Sequence, residues 1–140
     1  MNDKEQIKIS LTQGKLTEKQ IDLMLKNLGL DITFVDENDN ICYYSDIKDR
    51  IFPRSPDIIG KKVQNCHPPQ SIHVVNDILR SFKDKEKDIA EFWLRVDGKF
   101  VYIRYFPLYD QREEYKGVIE VSQEISGIKK LEGEKRLLDW

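Results

Sequence analysis

The chain is poor in the residues that build metal centres and disulfide frameworks. It carries two cysteines, Cys42 and Cys66, and two histidines, His67 and His73, among 140 residues. A cysteine pair does not staple a small secreted fold, so a reducing, cytoplasmic setting is expected. No apolar run approaches the roughly 20 residues of a membrane helix. The opening MNDKEQIKIS lacks the apolar stretch of a secretory signal. Charge of one sign is also missing: the net value is −2, too little to draw the domain to nucleic acid or an anionic membrane. There is no GxSxG, P-loop, dinucleotide fingerprint or HExxH. With so few histidines, no catalytic set assembles, and an independent enzyme is not expected.

What is present describes a globular domain. Hydrophobic residues make up 39% and charged residues 34%, enough for one core beneath a well-solvated surface. Six Tyr, six Phe and two Trp can supply large pieces of core or pocket wall.

Residues 1–16 read as a polar leader with a turn at Gln13-Gly14. Thr17 with Gln20 forms an approximate capping box. Ile21, Met24, Leu25 and Leu28 then repeat at helical spacing until Gly29. DITFVDE (31–37) and ICYYS (41–45) read as a hairpin around Asn38-Asp39-Asn40. A short helix is expected over Asp57–Ile59, behind Ser55 and Pro56. KDKEKD (83–88) is a solvated connection. IAEFWLRV (89–96) and KFVYIRYFPLY (99–109) flank Asp97-Gly98, a strong hairpin signal. Alternation places Val101, Ile103 and Tyr105 on one face and Tyr102, Arg104 and Phe106 on the other. Pro107 predicts a weakening or bulge. VIEVSQEI (118–125) is the last strand. Residues 126–140 read as a one-sided helix through Ile128, Leu131 and Leu138, interrupted by Gly133.

The stretch QNCHPPQSIH (64–73) gathers three of the four Cys and His side chains. A structural zinc site needs four ligands in short-spaced pairs, and no second pair exists. At about 100° per residue, Val75, Leu79 and Phe82 share one helix side, while His73 falls about 180° away with Asn76, Asp77 and Arg80. His73 is therefore expected in solvent. Asn65 or His67 can serve the free N–H groups of a helix start, and Pro68 and Pro69 suit its first turn. The preferred reading is a helix N-terminus with an ordering His67. Haem through His67 or His73 is the lesser alternative, because iron needs only one proximal imidazole. Cys66 reads as a small buried hydrophobe rather than a redox thiol, and Cys42 as packed on the sheet or pocket.

The order of elements resembles a PAS domain. Ile58-Ile59-Gly60-Lys61, His67-Pro68, Asp97-Gly98 and Gly117-Val118-Ile119 with Gln123-Glu124-Ile125-Ser126 are similar to its weak signatures, over about Asp31 to Ile128. DITFVDEND, RIFPRSP, VQNCHPP and LEGEKRLLDW resemble more closely the PAS-type domain at the C-terminal end of bacterial and archaeal hemerythrin-like (HHE) proteins, as does the leader GKLTEKQIDLMLKNL. Glu124 and Ser126 stand where that family usually has Asp and Thr, which shifts the expected start of the closing helix. No His-rich four-helix portion is present in the sequence, so an excised or stand-alone relative is expected.

The resemblance implies an α+β PAS fold. A five-stranded antiparallel sheet would pack with short helices and one longer helix, plus N-terminal and C-terminal flanking helices. The division is 1–30 for leader and flanking helix, 31–126 for the PAS domain, and 127–140 for a C-terminal helix or linker. It also implies a cavity between sheet and long helix. The expected lining is Phe34, Val75, Leu79, Phe92, Leu94, Ile103, Tyr105, Ile119 and Val121, with Tyr105 and Arg104 as candidate polar handles. Any single one of these side chains reads first as plain core; as a set they suit a small hydrophobic or aromatic ligand. The expected function is sensory: a small hydrophobic or aromatic ligand shifts the sheet, and the C-terminal helix relays the shift. The alternatives are a ligand-free homodimerisation module and a haem-based gas or redox sensor. The dimer would form through the N-terminal helix (Ile21, Leu25, Leu28) and the outer sheet face (Trp93, Tyr102). A hemerythrin-like domain in the natural chain is a further expected partner; nucleic acid and membrane are not.

Overall fold

The computed structural model describes residues 7–140; part of the predicted leader, residues 1–6, lies outside them. The rest of that leader is not featureless. Lys8–Ser10 (β1) and Lys15–Thr17 (β2) pair as a small antiparallel hairpin. Thr17 then caps Glu18–Lys26 (α1) through the expected box: its hydroxyl accepts from Gln20 N at 3.1 Å and the Gln20 amide accepts from Thr17 N at 2.9 Å.

Five strands form the main sheet: Asp31–Asp36 (β3), Ile41–Tyr44 (β4), Ala90–Val96 (β5), Lys99–Tyr109 (β6) and Tyr115–Glu124 (β7). Their spatial order is β4-β3-β7-β6-β5, antiparallel throughout. Local chemistry sets the turns. The Asp36 carboxylate accepts from Asn38 N and Asn40 N, both at 2.9 Å, closing the β3–β4 hairpin. Asp97 and Gly98, at φ 49° and 79°, supply the left-handed pair that a tight β5–β6 turn requires. Pro107 stays inside β6, and the register shifts one residue later, between Leu108 and Tyr109. β5 pairs only as far as Tyr105, so Pro107 lies where β6 has no partner on that side and its missing N–H costs no ladder bond. β7 begins at Tyr115, three residues before the expected start at Val118.

Between β4 and the long helix the chain is irregular, with single turns at Pro56–Ile58, Val63–Cys66 and Pro69–Ser71. The long helix, Ile72–Lys83 (α2), lays Leu79 and Phe82 on the sheet. With Val35, Ile41 and Val118 they make the core, and Phe82 is wholly buried. The Tyr109 hydroxyl donates to Phe82 O at 2.6 Å, tying the end of α2 to β6.

The expected flanking helices are not clear. α1 exists but buries no residue; Ile21 and Leu25 are half-covered, while Leu23, Met24 and Leu28 are exposed. The C-terminal helix is replaced by a single turn at Ile128–Lys130. Leu131, Leu137 and Leu138 are exposed, so their side chains bury nothing that would support a helix there. Segments shorter than about 12–15 residues are marginal as helices without such support. Ser126 instead ends the sheet. Its hydroxyl accepts from Phe100 N at 3.0 Å, and its own N–H donates to Glu124 Oε1 at 3.1 Å.

Candidate functional site

Strand pairing decides which side chains face α2. Tyr105 is opposite Glu120, Glu120 is opposite Thr33, and Val118 is opposite Val35. These residues, with Ile103, form the inner face. A cavity of about 560 Å³ lies between that face, α2, and the irregular segment carrying Phe52–Ser55, Ile58, Val63 and Asn65–Pro68. Val75, Ile78 and Leu79 supply its helical wall.

Of the residues expected in the lining, Val75, Leu79, Ile103 and Tyr105 are there. Phe34, Ile119 and Val121 are not. Phe34 pairs with Ile119, and Val121 with Ile32 and Arg104, all on the outer face. In β3 and β7 the more apolar alternate set, Ile32, Phe34, Ile119 and Val121, faces outward, while Thr33, Val35, Val118 and Glu120 face α2, so alternation within either strand points to the wrong side. Phe92 and Leu94 do share a face with Ile103 and Val101. They lie beyond the reach of α2, however, at 39% and 41% exposure, whereas Ala90 at the same strand's start packs on the core. The Phe92 ring meets Tyr105 edge-on at 6.0 Å, outside the cavity wall. Arg104 is no handle: it sits on the outer face, stacked over Tyr102 at 4.9 Å and Phe106 at 5.7 Å.

The residues that sequence reasoning missed are polar as well as apolar. Thr33, Glu120 and Tyr105 make a stripe across the inner face of β3, β7 and β6. Burial first, and then the negative charge of Glu120, push the Tyr105 phenol far above its ordinary pKa. Arg54 approaches from the opposite wall, with Nη2 at 3.7 Å from Glu120 Oε1. One signal was available for Glu120, a charge set between Val118 and Val121 in an apolar strand. Arg54 offered none, because its segment has no periodicity.

A second charged group holds that segment in place. Asp31, 4% exposed, accepts from Ile51 N at 2.7 Å and Phe52 N at 3.2 Å. Arg50 lies 4.0 Å from the same oxygen and donates to the carbonyls of Phe52 and Ser45. The segment is thus hydrogen-bonded to the first residue of β3, which brings Phe52 and Arg54 over the sheet.

Only Ile72 and His73 of QNCHPPQSIH belong to α2. His67 ends the Val63–Cys66 turn, and α2 begins at Ile72 after a further turn. The His67 ring does not accept from helix N–H groups; its Nδ1 lies 3.0 Å from Val63 O, which makes Nδ1 the protonated nitrogen. Two prolines and an extended His67 backbone prevent a helix from running back past Ile72. His67 lines the cavity, and so does Cys66. His73 is exposed, on the side its helical position predicts. Both cysteines are exposed, contrary to the packed roles expected of them. Partial desolvation, then the 3.4 Å hydrogen bond that the thiol donates to the Asp36 carboxylate and that group's charge, raise the Cys42 thiol pKa. Among the described residues no cluster of three or more His, Cys, Asp or Glu could hold a metal, and no helix is long and apolar enough to cross a membrane.

A PAS-domain family model matches residues 21–126, most of the chain. Among solved structures, the C-terminal domain of a Streptococcus mutans protein is 31% identical with a TM-score of 0.86, covering 91% of this chain and 99% of that one. A PAS domain from Colwellia psychrerythraea is 19% identical at TM-score 0.54, covering 78% and 97%. A sensory box sensor histidine kinase from Vibrio cholerae is 12% identical at TM-score 0.54, covering 74% and 87%. No curated protein matches the chain. Sheet order, the helix-covered inner face and the family match over residues 21–126 agree: the chain belongs to the PAS domain family.

Proposed function

We propose that this PAS domain is a sensory or regulatory module whose cavity binds a small, largely apolar or aromatic molecule. The observation that carries this is the cavity of about 560 Å³, walled by Val75, Leu79 and Ile103 and containing a few polar groups. Apolar clefts with few convergent polar groups are the usual form of small-molecule sites. The sensor kinase of similar fold supports a sensory role through the fold it shares. The bound state is relayed along β7 to Ser126 and the segment after it, and ligand and relay are linked only if two states differ in affinity. In this reading the domain is not an enzyme, works in the cytoplasm, and serves a bacterial or archaeal protein that also carries a hemerythrin-like domain.

Two other readings each have one observation in their favour. Exposed Leu23 and Met24 on α1, Leu28 just after it and Trp93 on the sheet favour a ligand-free homodimer. His67, lining the cavity with Nδ1 engaged by Val63 O, favours haem, since a proximal imidazole is held in this way. Native mass spectrometry of the purified chain separates them: a retained small molecule supports sensing, an empty dimer supports assembly, and a Soret band in the absorbance spectrum supports haem. Direct proof of the site uses naphthalene as probe. Val75→Trp fills the cavity and is expected to abolish naphthalene binding without lowering the melting temperature. Equal binding by variant and wild type would rule the cavity out.

A further inference from the structure

The stripe on the inner face states what kind of ligand fits. Glu120 and Arg54 side chains are 15% and 25% exposed, and their closest atoms are 3.7 Å apart. That separation is too long for a hydrogen bond. The two charges therefore form an ion pair on the cavity wall with no hydrogen bond between them, beside the Tyr105 phenol that also engages Glu120. Arg54 Nη1 makes only a 3.5 Å contact, to Pro53 O. Half-buried charges in an apolar wall are costly until their remaining sites are satisfied.

Charge decides the ligand class. An anion would pair with Arg54 but be repelled by Glu120. A cation would suffer the reverse. A pure hydrocarbon would strip water from both charges and return nothing. A neutral edge with a donor beside an acceptor satisfies both at once, the donor to Glu120 and the acceptor to Arg54. Both bonds are charge-assisted, the stronger class. Val75, Leu79 and Ile103 then pack on a flat apolar body.

Resting on the cavity being the ligand site, we propose that it selects uncharged, flat molecules with a lactam-like edge, an N–H next to a C=O. Three bicyclic probes of one ring skeleton test this by titration into the 140-residue chain, followed by ligand-observed NMR: naphthalene, quinoline, and carbostyril, the lactam on the same skeleton. Carbostyril is expected to bind at least about tenfold more tightly than naphthalene, with quinoline between them. Arg54→Met, in an irregular segment and so little threat to folding, is expected to erase most of that advantage, because it removes the acceptor's partner and the desolvation that penalises naphthalene. Glu120→Leu should do the same, with a thermal melt to confirm folding. Naphthalene binding as well as carbostyril, or an advantage that survives Arg54→Met, would overturn the proposal and leave the cavity as a ligand site. If none of the three binds the wild-type chain, the cavity reading falls and takes the proposal with it.

Discussion

Gly117 is where the sheet has no room for a side chain. It sits in β7 opposite Asp36 and Leu108, with φ at +140°. A Cβ there would lie 2.2 Å from Val35 O, 2.9 Å from Phe34 Cε2 and 3.1 Å from Asp36 Cα. Carbon and carbonyl oxygen ordinarily approach no closer than about 3.3 Å, so the overlap with Val35 O is about 1 Å. Two of the three obstacles are backbone of β3, which has no rotamer to yield. Relief therefore requires opening the β3–β7 ladder beside Val35 and Val118, both core residues. Overpacking costs about 1–3 kcal/mol, and a side chain forced into this backbone region about 1–3 kcal/mol more. Gly117→Ala is thus expected to lose about 4 kcal/mol, a large share of the roughly 5–15 kcal/mol of an ordinary domain. The control is Gly98→Ala. Its φ is +79° but nothing lies within 4 Å of the added Cβ, so backbone strain alone acts, about 1.5 kcal/mol. Urea unfolding followed by tryptophan fluorescence measures both. A loss below about 1 kcal/mol for Gly117→Ala, or equal losses for the two variants, would refute the steric argument.

Two further predictions concern pH. Burial alone would raise the Asp36 pKa, but the N–H groups of Asn40 and Asn38 overcome it and hold the carboxyl below its ordinary value. A lowered folded pKa contributes stability above the unfolded value of about 3.9 that is lost as pH falls through the folded value. Asp36→Asn should therefore lower the urea midpoint at neutral pH, with a gap from wild type that narrows below about pH 4; a gap that widens there contradicts the assignment. Burial first, then the charge of Asp39, push Tyr115 up to about 12. Stability from a raised phenol is complete below the unfolded value of about 10 and is lost as pH climbs toward the folded one. The Tyr115 hydroxyl is buried without a partner, so Tyr115→Phe should cost nothing at neutral pH and flatten the alkaline loss. An unchanged alkaline limb in denaturant titrations would count against it.

The amino-acid sequence by itself determined the elements whose causes lie within a few residues. Thr17 and Gln20 cap α1, Asp36 folds the first turn around Asn38 and Asn40, and Asp97-Gly98 turns β5 into β6. The spacing of Leu79 and Phe82 against His73 set which side of α2 is buried. Only the tertiary structure decided the rest, because the deciding contacts are distant in the chain. Whether Thr33 and Val35 or Phe34 faces the cavity depends on pairing with β7, and β7 takes its side from Tyr105 on β6. Arg54 joins Glu120 because Asp31 hydrogen-bonds its segment across the sheet. The last segment stays unhelical because Leu131, Leu137 and Leu138 find no surface to cover, a condition that apolar spacing alone does not encode.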